Sequence, residues 1–181
     1  HYIKSTYQLI SWYYLINNNY DKFIENQNNI LKYGITLSET DKQAEREAKK
    51  NEHPNIQLLK ARLLFDGGYY SKAVDEIENK SNKLNLRNAK DSLEYIYRLA
   101  RIYHEWGKID FAIPYYEKVI KNGEDKPWYY AANSALLLGV IYEKQNKNNI
   151  ARLYYQKCLL IEPQEYKGSI HAKAKSGLKR L

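Results

Sequence analysis

The sequence lacks methionine and contains one cysteine, four prolines and eight glycines in 181 residues. A single cysteine excludes a disulfide within the chain and leaves the redox compartment open. No apolar run approaches the length of about 20 residues that a transmembrane helix needs, so we expect no membrane span. A first residue other than methionine predicts that the chain is an excised or processed portion of a longer protein. The sequence therefore assigns no compartment.

Residue patterns that support catalysis or metal binding are also missing. The four histidines, His1, His53, His104 and His171, lie far apart and lack the spacing that zinc sites use. No glycine-rich phosphate loop is present. Cys158 has no histidine beside it in the pattern, and we predict that it is a core residue. We therefore expect no enzymatic activity, no metal ion and no cofactor.

The chain does contain an internal repeat with a helix-turn-helix pattern. Each block has a small residue followed three positions later by leucine or tyrosine, then a turn and an alanine. Such spacing places a small side chain and a large side chain on the same face of a helix. The terminal alanines, Ala73, Ala112 and Ala151, follow one another at intervals of 39 residues, which is a period typical of stacked helical hairpins. The blocks are Gln57–Leu64 with Gly68–Ala73, Ile96–Tyr103 with Gly107–Ala112, and Ala135–Tyr142 with Asn146–Ala151.

This pattern resembles the tetratricopeptide repeat family. That family has a small residue and an aromatic residue in its first helix, a glycine and an aromatic residue at the turn, and an alanine that opens its second helix. Pro163 stands where the family commonly has its proline, whereas Asn146 replaces the usual glycine and Lys80 a usual small residue. The period is also longer than in the family. The resemblance implies an all-α, right-handed superhelical stack of antiparallel helix-turn-helix hairpins.

We predict a single solenoid over residues 1–181. In its degenerate first hairpin, Phe23 replaces the alanine. Thr40 with Gln43, and Asp91 with Glu94, fit capping boxes at helix starts. The predicted elements are a degenerate hairpin at 3–33, an inserted helix at 39–50, hairpins at 54–80, 91–122 and 127–161, and a capping helix at 165–180.

In this family the first helix of each hairpin lines the concave side, and solenoids bind partners along that surface. Arg62 and Arg101 would lie on adjacent rungs and suit a peptide with an acidic or carboxylate group, because guanidinium groups pair bidentately with carboxylates. In the alternative interpretation, each arginine pairs with the acid four residues on, Asp66 or Glu105. The predicted groove residues are Gln8, Trp12, Leu58, Arg62, Phe65, Tyr97, Arg101, His104, Leu136 and Val140.

The resemblance implies a non-catalytic module that binds a peptide or protein segment in this groove. A formal net charge of +8 supports a second hypothesis, a basic surface that binds nucleic acid or another polyanion. The densest basic run lies at 173–180, where a solvated capping helix is the simpler explanation because no aromatic residue interleaves the run. A third hypothesis is self-association through an uncapped end that contains Trp12, Tyr13 and Tyr14.

Overall fold

The computed structural model describes residues 2–50, 53–79 and 85–181. Within them the regular secondary structure is helical and includes no strand, so the all-α prediction is confirmed. The chain divides into two compact units, His1–Lys60 and Ala61–Leu181. His1, Lys80 and the start of the predicted connector at Ser81 lie outside the described residues. The single solenoid over residues 1–181 stays a prediction.

The first unit is a hairpin with an added helix. It contains α1 (Ile3–Ile16), α2 (Tyr20–Lys32) and α3 (Glu39–Lys49), and each of the three packs on the other two. Ala44 and Ala48, which form the apolar face of α3, are buried in one cluster with Ile30. The short side chains of α3 let it lie close to its neighbours.

Polar side chains also join α3 to α1. Lys4 is only 4% exposed; its Nζ donates to the Ile30 carbonyl at 2.6 Å and lies 3.4 Å from Glu45 Oε2. Gln8 Nε2 donates to Glu47 Oε2 at 2.6 Å. A buried ammonium needs such partners, because an unpaired charge in the interior is costly.

The second unit is a series of antiparallel helices. Consecutive helices from α6 to α10 pack on one another, and α8 also contacts α6 and α10. The division between the units falls within α4. The helices are α4 (Ile56–Asp66), α5 (Tyr70–Val74) with a π-helical continuation at Asp75–Asn79, α6 (Ala89–Glu105), α7 (Ile109–Gly123), α8 (Tyr130–Lys144), α9 (Asn148–Leu160) and α10 (Lys167–Arg180).

The core of the second unit repeats the small and large residues that the sequence pattern predicted. Ala100, Ala112 and Ala151 have no exposed surface, and neither do Tyr116 and Tyr155. Alanine lets two helices approach, and the tyrosine ring fills the space beside the contact. We refer to α4, α6 and α8, the first helices of their hairpins, as the A helices.

The turn between the two helices has the same backbone geometry in four hairpins. Asn18, Gly68, Gly107 and Asn146 have φ values of 56°, 77°, 79° and 58°, in the left-handed region that glycine and asparagine adopt most readily. In each turn the next amide donates to a carbonyl five residues back, at 2.8 or 2.9 Å, as in a Schellman motif. Asn146 therefore fills the glycine position without changing the turn.

Two predicted helix caps are wrong. Ser38 caps α3, because its Oγ accepts a hydrogen bond from the Asp41 amide at 3.0 Å. Asn88 caps α6 by accepting from the Asp91 amide at 2.9 Å. Thr40 and Asp91 therefore lie inside the first turns of these helices, and Ser38 and Asn88 are equally good capping residues a few positions earlier.

Candidate functional site: the exposed side of the A helices

The predicted groove residues differ in accessibility. Arg62, Phe65, Arg101, His104 and Val140 are half-buried and reachable from solvent; we call these five the A-helix face. The other five predicted groove residues are buried, with exposed fractions of 5% or less: Gln8, Trp12, Leu58, Tyr97 and Leu136. The surface open to a partner is therefore smaller than the sequence predicted.

The burial follows from helix geometry. Gln8, Leu58, Tyr97 and Leu136 each precede the small residue of their helix by three positions. Residues three apart lie on the same helix face, so these side chains turn inward with the small residue that packs within the hairpin. The open side of each A helix begins one position after the small residue, at Arg62, Arg101 and Val140.

Arg101 lies at the centre of the A-helix face. Its guanidinium carbon is 5.2 Å from the centroid of the Phe65 ring, within the range of a cation–π contact. Nη1 donates to the Tyr97 hydroxyl and Nη2 to Glu105 Oε1, each at 3.4 Å, which is long for such bonds. Among the described residues, none accepts a hydrogen bond from the buried Nε.

The charge of Arg101 is fixed. Burial tends to lower the pKa of Arg101, but the oxygens of Tyr97, Tyr116 and Glu105 outweigh that effect and raise it above its ordinary value. A guanidinium is protonated at every physiological pH even without this increase. Arg101 is therefore a permanent cation with donor capacity that its neighbours use only weakly.

Both arginines do pair with acids of their own helices, as the alternative interpretation stated. Arg62 Nε lies 3.8 Å from Asp66 Oδ2, and Arg101 Nη2 lies 3.4 Å from Glu105 Oε1. The two arginine side chains nevertheless keep 27% and 26% of their surface exposed. Pairs of this i,i+4 type contribute only about 0.3–0.5 kcal/mol, so a carboxylate from a partner could displace them.

A pocket of about 230 Å³ lies beside His104, near the ends of α6 and α8. His104 Nδ1 is 3.0 Å from the Tyr116 hydroxyl. Burial lowers the pKa of His104, Arg101 and Lys144 lower it further, and Glu105 opposes them. The lowered pKa favours the neutral form of His104, and the positive charge near the pocket comes from Arg101 and Lys144. The lining residues are His104, Glu105, Ile109, Ile141, Lys144 and Gln145.

Tyrosine–glutamate contacts between successive hairpins were not predicted. Glu78 accepts hydrogen bonds from the hydroxyls of Tyr103 and Tyr115, at 2.9 and 3.0 Å. Glu117, 39 residues after Glu78, accepts one from Tyr154 at 2.9 Å. Tyr154 in turn lies 39 residues after Tyr115. These side chains hold neighbouring hairpins together, and the shared interval was the signal in the sequence.

The residues proposed for self-association differ in accessibility. Trp12 is 4% exposed and Tyr14 is half-buried, whereas Tyr13 is 63% exposed. Leu9 and Ile10 are also exposed on α1. Self-association stays a prediction, and of the three residues named for it Tyr13 is the most exposed.

Comparison with known families identifies the repeats of the second unit. A family model described as Tetratricopeptide repeat matches residues 93–122 and 132–165. The chain contains tetratricopeptide repeats. The two matched repeats comprise most of the hairpins α6–α7 and α8–α9, whose A helices supply Arg101, His104 and Val140. Tetratricopeptide repeats generally mediate protein–protein interaction and are typically non-catalytic. No curated protein and no solved structure matches the chain significantly.

Two further findings concern other kinds of site. In residues 2–50, 53–79 and 85–181, no three side chains of histidine, cysteine, aspartate or glutamate are grouped as a metal site would require. None of the helices in these same ranges has the length and hydropathy of a membrane span.

Proposed function

We propose that the A-helix face of the second unit binds a peptide segment of a partner protein through an acidic side chain of that segment. Arg101 carries the proposal, because it is a permanent cation whose side chain keeps 26% of its surface exposed. Its hydrogen bonds to the Tyr97 hydroxyl and to Glu105 are both long, at 3.4 Å. A carboxylate in the plane of the guanidinium would accept shorter, bidentate hydrogen bonds.

Phe65 supports this geometry. The centroid of the ring lies 5.2 Å from the Arg101 guanidinium carbon, and this contact restricts the motion of the guanidinium. A planar guanidinium that is already oriented loses less conformational entropy when it binds a carboxylate. Arg62, on the preceding A helix, adds a second cation with about a quarter of its side-chain surface exposed.

The pocket beside His104 fits a neighbouring side chain of the same peptide. Ile109 and Ile141 give it apolar walls, and Lys144 adds a cation at its edge. Its volume of about 230 Å³ is below the roughly 300–1,000 Å³ of most small-molecule sites. We therefore assign it to one peptide side chain and not to a cofactor, in agreement with a non-catalytic role.

The test uses fluorescent octapeptides that carry one or two glutamates at varied positions between apolar residues. Binding is measured by fluorescence polarisation for the wild type, for the double variant Arg62→Glu/Arg101→Glu, and for the control Lys118→Glu/Arg152→Glu. The control changes the net charge equally at two exposed positions of α7 and α9, the second helices of their hairpins, which we call B helices. Circular dichroism establishes that each variant is folded.

We expect the wild type to select glutamate-containing peptides over the same peptides with glutamine. The Arg62→Glu/Arg101→Glu variant should lose at least tenfold in affinity, equivalent to about 1.4 kcal/mol, and the control should lose less than threefold. Equal affinity for glutamate and glutamine peptides, or full affinity in a folded Arg62→Glu/Arg101→Glu variant, would refute the proposal.

A further inference from the structure

Helix α10 carries basic side chains and no acidic one. Two of its basic residues are neutralised by neighbours. Arg180 Nε and Nη2 lie 2.7 and 2.8 Å from the two carboxylate oxygens of Glu143, and Lys167 forms an ion pair with Glu162. The three remaining cations are exposed and make no ion pair with another residue in the described part of the chain: Lys173, Lys175 and Lys179.

The helix is fixed in position by its other side. Ile170, Ala174 and Gly177 are buried, and α10 packs on both α8 and α9. A Cβ atom added at Gly177 would lie 2.4 Å from Cζ of Tyr155, so the backbone of α10 is in close contact with that ring. The basic side of α10 therefore faces solvent on a rigid support.

The unpaired lysines lie on both flanks of the solvent-facing side. With 100° between successive residues of a helix, Lys175 and Lys179 lie on one flank and Lys173 lies on the other. Between Lys179 and Lys173 lie the exposed small residues Ala172 and Ser176, the second of which accepts a hydrogen bond from Arg180 at 3.2 Å. Short side chains along the centre allow a polyanion to approach the helix closely while lysines on either side reach around it.

We propose that this side of α10 binds the phosphate backbone of double-stranded nucleic acid. The six helical steps from Lys173 to Lys179 span about 9 Å. A strand of the duplex advances about 3.4 Å per phosphate along the axis, so the three lysines match about three successive phosphates. This surface is distinct from the A-helix face, and the proposal does not depend on peptide binding there.

Other polyanions fit this surface less well. A helix that binds a membrane surface inserts an apolar side into the lipid, but the apolar side of α10 is already buried against α8 and α9. Single-stranded nucleic acid is bound by aromatic side chains that stack on its bases, and α10 contains no phenylalanine, tyrosine or tryptophan. A contact made by lysine alone suits the regular backbone of a duplex.

The test measures fluorescence anisotropy of a labelled 20-base-pair DNA duplex between 50 and 200 mM NaCl. The variant is Lys173→Glu/Lys175→Glu/Lys179→Glu. The control, Lys118→Glu/Lys121→Glu/Lys147→Glu, alters three exposed lysines outside α10. Each variant replaces three positive charges by three negative charges and lowers the formal net charge from +8 to +2.

We expect the wild type to bind the duplex with a log–log salt slope of about −2.7, or −0.9 for each of three phosphate contacts. That slope corresponds to an affinity loss of about 40-fold over this fourfold rise in salt. The α10 variant should lose at least tenfold in affinity at 50 mM NaCl. The control and Arg62→Glu/Arg101→Glu should each lose less than threefold.

Three results would overturn the proposal. One is no measurable binding of the duplex by the wild type at 50 mM NaCl. Another is an equal loss in the α10 variant and in the lysine control, which would indicate general electrostatic attraction. The third is binding of polyglutamate, or of vesicles with phosphatidylserine, at least as tightly as the duplex. Circular dichroism of all variants separates loss of binding from loss of fold.

Discussion

Replacing Gly139 by alanine tests the central packing contact of the second unit. Gly139 is buried in α8, and an added Cβ would lie 2.5 Å from both Cδ1 and Cε1 of Tyr155. The Tyr155 ring cannot move away, because it has no exposed surface and Gly177 approaches it as well, so that a Cβ added there would lie 2.4 Å from Cζ. The ring is therefore confined by backbone from α8 and from α10.

Two opposing effects decide how much Gly139→Ala changes the free energy of unfolding. Alanine has a higher helix propensity than glycine, which favours the variant by about 1 kcal/mol. Overpacking of a core typically costs about 1–3 kcal/mol, and the upper part of that range applies where the contacted ring is confined. We expect Gly139→Ala to lower the free energy of unfolding by about 1–2 kcal/mol. For a chain of this length the corresponding fall in Tm is about 2–8 °C.

The assay is thermal and urea unfolding followed by far-ultraviolet circular dichroism. Gly168→Ala is the matched control, because Gly168 is in the exposed first turn of α10 and an added Cβ would meet no atom within 4 Å. We expect the control to be neutral or slightly stabilised. In a Tyr155→Leu background, Gly139→Ala should cost less, because the smaller side chain leaves room for the methyl group. A Gly139→Ala variant as stable as the wild type would refute the close packing.

Two further predictions concern single titratable groups. Cys158 is buried, and burial raises the pKa of its thiol to about 12. The folded protein should therefore react with a thiol reagent at pH 8 at least 100-fold more slowly than the protein unfolded in urea. Equal reaction rates would contradict the burial. Hydrogen bonds from Lys49 and Thr36 are the main cause that lowers the carboxyl pKa of Glu45 from 4.5 to about 2. The contribution of Glu45 to stability is therefore present above pH 4.5 and is lost as the pH falls towards 2. The urea midpoints of the wild type and Glu45→Gln should therefore differ most near pH 6 and converge towards pH 2; a difference that is constant with pH would exclude this linkage.

Much of the second unit could be predicted because the residues that repeat are those that two closely packed helices require. Ala112 and Ala151 open B helices, and Tyr116 and Tyr155 follow each of them by four positions; all four are fully buried. A small residue that packs beside a large one gives a local sequence pattern, and this pattern does not depend on the surrounding structure. The left-handed turn at Asn146 is also visible in the sequence, since asparagine is the usual substitute for glycine there.

The degenerate hairpin of the first unit shows how the same position can be filled differently. Phe23 takes the place of the alanine and is 3% exposed. Gln27 stands where the other hairpins have a large core residue, and its Nε2 donates to Ser11 Oγ at 2.9 Å. A hydrogen bond between glutamine and serine thus replaces the contact of a ring with a small residue. Because the polar pair has no hydrophobic signature, sequence periodicity alone could only locate this hairpin by its spacing.

The candidate site was harder to predict than the fold. Tyr97 and Leu136 lie one helical turn before the open side of their helices, and both are buried. A sequence pattern places residues on a helix face to within about one turn, but whether a side chain is exposed depends on the neighbouring helix. The pocket beside His104 depends on where Lys144 and Ile141 of the next hairpin come to lie, and that placement requires the packed structure.

The repeat also limits the part of the A-helix face that can bind acids. Residues 39 apart occupy equivalent positions, so Val140 corresponds to Arg101 and Glu143 to His104. Tyr116 and Tyr155, the equivalent core tyrosines, bond to His104 and to Glu143 respectively. In the last hairpin, Glu143 is also engaged by Arg180, and no arginine stands at the position of Arg101. The cations of this face therefore belong to α4 and α6, with Lys144 at the edge. In the proposed complex, the peptide would place its acidic residue beside these arginines and an apolar residue beside Val140.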